Sequence, residues 1–423
     1  MFKAGDSLKV ELNSLSYGGQ ALYKSRDLVL FVPKGLPEDV VNIKINKIKK
    51  NYGTAEITEI VKPSSMRVNP RCKAFEKGCG GCQWLHFNYQ SQLFWKTKIV
   101  RDALKHIGKI NVKVDPIIGV KNPLKYRNKL SLHRDRAGKI GLCEENTHSI
   151  VEFDECMQEM PFNVEAYNAL KHVKFKNGIS QIHIRCNREG DIGIYFYCDR
   201  IDSSMQNFAR ELSKKIKRLK GAGASTYNSY STVYGEPYIT EEIGKVKYTI
   251  PHNSFFQTNY EQIQSLLKVV RNFTNSAESD EILDLYCGVG LFALDLARSC
   301  RKITGIENNM EAIRGAKYNA KLNRINNVEF HACDAGEGMR NFRTGSLKTL
   351  ILDPPRTGCD KKAISEIIRV RPENIIYVSC APDTLSRDLV IFKNSGYSIE
   401  ACRPIDMFPQ TYHVETVVKL KIL

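Results

Sequence analysis

A chain of 423 residues with 63 Lys and Arg against 46 Asp and Glu carries a formal charge of +17. It is long enough for two to four domains and suits a polyanionic partner, with nucleic acid the first expectation. No run approaches the roughly 18 apolar residues of a membrane span. The first residues lack the apolar core of a signal peptide, and thirteen cysteines without such a signal argue against a disulfide scaffold, so a cytoplasmic protein free of membranes is expected.

Residues 1–62 alternate short β-like runs with turns. Leu8–Leu12 alternates at period two, Gly18-Gly19 breaks the run, Leu28–Val32 is continuously apolar, and Val40–Ile45 and Thr54–Ile60 follow. About five short strands with Gly and Pro turns predict a small β-barrel of the oligonucleotide-binding kind. Lys62-Pro63-Ser64-Ser65 reads as a linker.

Residues 63–250 read as a central α+β domain, with a helix over Tyr89–His106 and strands at Gln181–Arg185 and Gly193–Tyr197. Its cysteines stand out. Cys72-x6-Cys79-Gly-Gly-Cys82 is joined 74 residues on by Cys156. Three cysteines this close around a Gly-Gly spacer have metal-ligand spacing, and four thiolates suit either zinc or an iron–sulfur cluster.

From residue 251 the pattern becomes regular. Strands at Ile282–Tyr286, Lys302–Glu307, Val328–Cys333, Thr349–Asp353 and Asn374–Ser379 alternate with helices such as Leu291–Cys300 and Glu311–Leu322, and two strands, Tyr397–Arg403 and His413–Ile422, close the chain. This predicts a doubly wound, mostly parallel α/β sheet. Ligands of such sheets bind outside the carboxyl ends of the strands, and polar groups collect there. Asp284-Leu285-Tyr286-Cys287-Gly288-Val289-Gly290 couples a strand to a glycine turn, and Glu307 lies 19 residues beyond Gly288, where an acidic side chain suits ribose hydroxyls. Asp334 ends the third strand and suits an adenine amino group; Asp353-Pro354-Pro355-Arg356 ends the fourth with a rigid turn. The glycine turn alone fits NAD or S-adenosylmethionine, but little chain remains downstream for a hydride-transfer domain.

Cys380 ends the fifth strand just before a helix opened by Pro382. A thiol beside a helix N-terminus can be held partly as thiolate, which would make it a nucleophile.

Five segments now carry a resemblance: Ser254-Phe255-Phe256-Gln257-Thr258-Asn259, Asp284–Gly288, Asp353–Arg356, Ser379-Cys380, and Asp406-Met407-Phe408-Pro409-Gln410-Thr411-Tyr412-His413-Val414-Glu415. In order and spacing over about 160 residues, the C-terminal part resembles the S-adenosylmethionine-dependent RNA uracil-C5 methyltransferases that act on 23S rRNA and tRNA. The N-terminal barrel looks like the TRAM domain, an RNA-binding module. The resemblance implies that Cys380 adds to carbon 6 of a uridine and Glu415 removes the proton from carbon 5. It also implies that Gln257, Tyr286, Glu307, Asp334 and Asp353 line the methyl-donor site, and that Arg127 and Lys129 of Tyr126-Arg127-Asn128-Lys129 hold RNA phosphate. The family's rRNA branch carries a [4Fe–4S] cluster on a similar cysteine pattern, which assigns Cys72, Cys79, Cys82 and Cys156 as its ligands, zinc being the alternative.

Two positions depart from many members: Ala381 stands where Asn is common after the cysteine, and Leu291 where a polar residue is common. The expected substrate is 23S rRNA, with tRNA as the alternative. A catalytically silent RNA-binding or ribosome-assembly protein is a third reading, disfavoured by intact Cys380 and Glu415. No protein partner is evident.

Overall fold

The computed structural model describes residues 2–26, 28–175, 178–275 and 280–423. The N-terminal module is one six-stranded sheet, ordered Ser7–Glu11, Val40–Ile48, Tyr52–Lys62, Val29–Val32, Ala21–Lys24, Ser14–Leu15. Val41, Ile43 and Ile45 alternate inward while Lys44 points out, as a strand with one solvated face requires. The apolar face is completed by Trp84, Phe87, Trp95 and Ile99. The last two lie on the helix Tyr89–His106, whose N-terminus is capped by Asn88 accepting from the Ser91 N–H. The same helix buries Val100 and Leu104 in a different core, beneath the C-terminal sheet. It therefore ties the first module to the last.

The central sheet runs in the order Tyr230–Gly235, Leu219–Ser225, Ile192–Tyr197, Gln181–Cys186, Lys129–Arg134, Ile140–Cys143, Ile150–Val151. One face is apolar: Leu130, Leu132, Ile182, Ile184, Ile194 and Phe196 pack with Leu170 and Leu212 of the helices Pro161–Leu170 and Ser203–Lys215. A hairpin, Tyr238–Ile243 with Val246–Pro251, follows in the chain, and its Ile243, Val246, Tyr248 and Ile250 enter the core of the C-terminal sheet.

That last sheet is ordered Val328–Ala332, Lys302–Glu307, Glu281–Leu285, Thr349–Leu352, Asn374–Ser379, Glu415–Ile422, Tyr397–Ile405. The first five strands are parallel and the last two antiparallel to their neighbours. All six residues of Asn374–Ser379 are buried, as expected of a strand covered on both faces. Strand order reverses between Glu281–Leu285 and Thr349–Leu352, so their carboxyl ends open a crevice there. Among the described residues no helix is long and apolar enough to cross a membrane.

Candidate functional site

The turn after Glu281–Leu285 is tight. Tyr286 has φ 64°, and Gly288 and Gly290 have φ 53° and 88°, values that cost little only for glycine. Gly288 N–H donates to Glu307 Oε2 at 3.3 Å, and Glu307 Oε1 accepts from the Asn309 N–H at 2.8 Å. Nothing lies within 4 Å of where a Cβ on Gly288 would stand, so the backbone there fronts open space. Gln257, Tyr286, Leu291 and Asp353 line one pocket of about 40 Å³ beside it, together with Phe255 and Phe256. Asp334 is exposed at the end of the third strand, outside that pocket, and caps the helix Ala335–Met339 through the Gly336 N–H. Asp284 is buried and accepts from the Ala293 N–H at 3.1 Å, holding the following helix on the strand. At the Leu291 departure the side chain is apolar lining, and its carbonyl accepts from the Tyr248 hydroxyl at 3.1 Å.

Cys380 is half-buried between the strand Asn374–Ser379 and the helix Pro382–Asn394. Its thiol is pushed up to about 12, first by burial and then by the carboxyls of Glu415 and Asp353, with Arg356 opposing. The partial thiolate expected from the helix N-terminus is opposed here: desolvation and two acidic neighbours weigh against one helix end. The antiparallel pairing of Ser379 with Thr416 brings Glu415 beside Cys380. Glu415 is 3% exposed, and among the described residues its Oε1 has no hydrogen-bond partner. Burial, then Asp353, hold its carboxyl well above the ordinary range, again with Arg356 opposing. Asp353 itself is pushed up to about 7 by burial. A thiol, two carboxyls and one guanidinium therefore meet at the crevice.

The loop that delivers Glu415 is held from several sides. Lys96 Nζ meets Asp406 Oδ1 at 2.5 Å with both side chains fully buried, and also donates to the Phe408 carbonyl at 2.9 Å. Gln92 exchanges two hydrogen bonds with Gln410, whose φ is 67°. The Tyr126 hydroxyl and Gln158 Nε2 both donate to the Pro409 carbonyl, at 3.0 and 2.9 Å. Asn259 Nδ2 donates to the Met407 carbonyl at 3.1 Å. Sequence reasoning missed Gln92 and Lys96, because polar residues on a helix ordinarily face solvent.

It also missed Tyr17. From the N-terminal module, its hydroxyl donates to the Cys380 carbonyl at 3.1 Å, and its ring meets the edge of Tyr412 at 5.7 Å between centroids. Of the pair expected to hold phosphate, Arg127 faces Glu159 at 3.8 Å and Gln158 at 3.4 Å. Lys129 is lowered to about 8 by burial and by Arg185 and Arg127.

Cys72, Cys79, Cys82 and Cys156, with Cys143, edge a cavity of about 280 Å³ whose wall also includes Arg127, Arg356 and His413. Burial raises the Cys82 thiol, and Cys156, Cys79 and Cys72 raise it further. Among the described residues no three His, Cys, Asp or Glu side chains are arranged to hold a metal ion.

Residues 142–422 match the family described as tRNA (Uracil-5-)-methyltransferase, and residues 3–58 match the TRAM domain. The chain is 32% identical over 446 residues to an uncharacterized RNA methyltransferase of Halalkalibacterium halodurans, covering 99% of this chain and 97% of the relative. It is 31% identical over 461 residues to an uncharacterized RNA methyltransferase of Clostridium acetobutylicum, covering 99% and 98%. The crystal structure of Pyrococcus abyssi tRNA (uracil-54, C5)-methyltransferase in complex with S-adenosyl-L-homocysteine superposes with a TM-score of 0.74 at 27% identity, covering 98% of this chain and 100% of that one. With most of its length matched by one family, the chain belongs to the RNA (uracil-5-)-methyltransferases as a TRAM-bearing, S-adenosylmethionine-dependent enzyme.

Proposed function

We propose that the enzyme methylates its uridine through a covalent adduct between Cys380 and carbon 6, with Glu415 as the base that completes the reaction. The observation that carries this reading is the meeting of a half-buried thiol with a buried carboxyl, one oxygen of which has no hydrogen-bond partner among the described residues, at the mouth of the donor crevice. Burial and the neighbouring carboxyls favour the protonated thiol of Cys380, so its proton is given up to solvent before attack, which leaves Glu415 free to act as the base later, while Arg356 offsets the negative charge. The sulfur then bonds to carbon 6, and the electron pair displaced from the ring double bond makes carbon 5 nucleophilic. S-adenosylmethionine, when bound, supplies a methyl group activated on a sulfonium. Once carbon 5 carries that methyl, Glu415 takes the remaining hydrogen as a proton, the ring double bond re-forms, and the thiolate leaves. A base stacked in folded RNA must be turned out to reach Cys380.

Gln257, Tyr286 and Asp353 are assigned to the donor pocket, with Glu307 for the ribose hydroxyls across Gly288 and Asp334 for the adenine amino group. The open space over Gly288 is the feature that fits such a ligand. Cys72, Cys79, Cys82 and Cys156 would hold a [4Fe–4S] cluster. The support is that the four thiols line one cavity; four thiolates suit such a cluster, with a structural zinc as the alternative. Bound there, the cluster would fasten residues 72–82 to Cys156.

The substrate on this reading is 23S rRNA, supported by the cysteine cavity. A tRNA is the second reading, favoured by the likeness to the Pyrococcus abyssi enzyme. Mass mapping of 5-methyluridine in rRNA and tRNA from a strain lacking this protein tests both: loss from one RNA class selects it, and loss from neither overturns both.

A further inference from the structure

The central sheet buries one face under its two helices; the other has a different chemistry. Strand alternation and register place His133, His183, Tyr195, Tyr197 and Tyr230 on that second face. Tyr195 lies at its centre, 6.0 Å from Tyr230 in stacked orientation and 4.9 Å from Tyr197 edge-on, and His183 meets Tyr197 at 5.0 Å. Gly223 lets the rings lie down over the strand, since a Cβ there would come within 3.1 Å of both Tyr195 and Tyr230. His133, His183, Tyr197 and Tyr230 remain partly exposed. Position and charge point to an occupant. Arg185 and Lys129, paired in register, add positive charge at the inner end of the face, where His252 covers Gly193; among the described residues neither Nη atom of the buried Arg185 has a hydrogen-bond partner. His133 also lines the cysteine-edged cavity whose wall includes Arg356 and His413, and Arg356 acts on the Cys380 thiol, so the face runs toward the crevice.

We propose that this face is a stacking platform for single-stranded RNA, receiving the nucleotides that flank the target uridine on the exposed rings of Tyr197 and Tyr230. Bases present a π-face to such rings whatever their sequence, and a cationic surround attracts their phosphates. An apolar protein partner would instead call for exposed aliphatic side chains, whereas the partly exposed residues of this face are aromatic, histidine or polar. The inference rests on the reading that the crevice at Cys380 receives the uridine.

The test is anisotropy with a fluorescein-labelled, single-stranded RNA of about fifteen nucleotides bearing a central uridine, a length matched to known single-strand sites. Tyr197→Ala and Tyr230→Ala should each weaken binding about five- to hundredfold, leave S-adenosylhomocysteine affinity unchanged, and raise KM for RNA more than they lower kcat. Tyr197→Phe and Tyr230→Phe keep the ring and should restore binding. Should the alanine variants misfold, photocrosslinking of the wild-type enzyme to the same RNA carrying 4-thiouridine beside the central position decides the matter. Crosslinks within residues 129–134, 181–197 or 219–235 support the platform. Crosslinks confined to other segments, or unchanged affinity in a folded double alanine variant, overturn it. Cys380→Ala should still bind the oligonucleotide with the same tyrosine dependence, so failure of the covalent mechanism and failure of the platform give different results.

Discussion

Tyr17 and Cys380 are 363 residues apart in the chain, and the hydroxyl of the first donates to the carbonyl of the second at 3.1 Å. The N-terminal TRAM module is therefore part of the frame that holds the residue proposed as nucleophile. Tyr17→Phe removes one hydrogen bond and keeps the ring contact with Tyr412. We expect kcat to fall about two- to tenfold, matching a net hydrogen-bond contribution of about 0.5–1.5 kcal/mol, with S-adenosylhomocysteine affinity unchanged. Wild-type kcat in this variant would show that the hydroxyl does not position the nucleophile.

Cys380→Ala should abolish both turnover and the RNA adduct seen on denaturing gels. Glu415→Gln should instead accumulate an adduct that already carries the methyl group, because release needs proton removal. Full activity in the alanine variant would end the covalent mechanism.

Asp353 is pushed up to about 7 by burial, so it is neutral below that pH and charged above it. A cationic methyl donor prefers the charged form. Its affinity, measured by calorimetry, should rise by up to about tenfold per pH unit below 7 and level off above. Asp353→Asn should flatten this dependence. Without ligand the raised pKa means that the folded state holds the proton more tightly than the unfolded one. This carboxyl's contribution to stability therefore declines between its ordinary 3.8 and about 7. A donor affinity independent of pH in the native enzyme would remove Asp353 from the donor contacts.

Lys96→Met leaves Asp406 buried without its cation. Such a break costs about 3–5 kcal/mol, read as a lower denaturation midpoint. Lys96→Met with Asp406→Leu should recover part of the loss, since no charge is then stranded. Unchanged stability in the single variant would mean that the pair is not a folding element.

Anaerobically purified protein should be brown and hold about four iron atoms per chain, as a four-thiolate cluster implies. Replacing Cys72, Cys79, Cys82 or Cys156 with Ser should lose the iron and lower the melting temperature. Cys380→Ala should leave the iron content unchanged. Stoichiometric zinc without iron would replace the cluster with a structural ion, and no metal at all would leave four ordinary thiols.

The elements around the crevice were legible because each carries its own local chemistry. Lys302–Glu307 and Asn374–Ser379 are apolar runs with the observed bounds, and Tyr89–His106 begins at a capping Asn. Glu307 and Asp353 stand at strand ends, where an α/β sheet collects its ligands. The pairing of the last two strands was not legible in the same way. Glu415 in isolation is an ordinary strand residue, and only the register of Ser379 with Thr416 brings it to Cys380.

Sequence alone determined the order of modules, the α/β class of the last one, the cysteine spacing and the residues at the strand ends, because these follow from periodicity, turn residues and short-range spacing. Tertiary structure decided which distant groups share a site and what that does to them. It set Tyr17 on the Cys380 loop, buried Lys96 against Asp406, gathered the tyrosines on one sheet face and raised the Cys380 thiol to about 12. Burial and long-range contact set those properties, because desolvation and Coulomb interaction depend on what surrounds a group in space, and a linear sequence records only its neighbours along the chain.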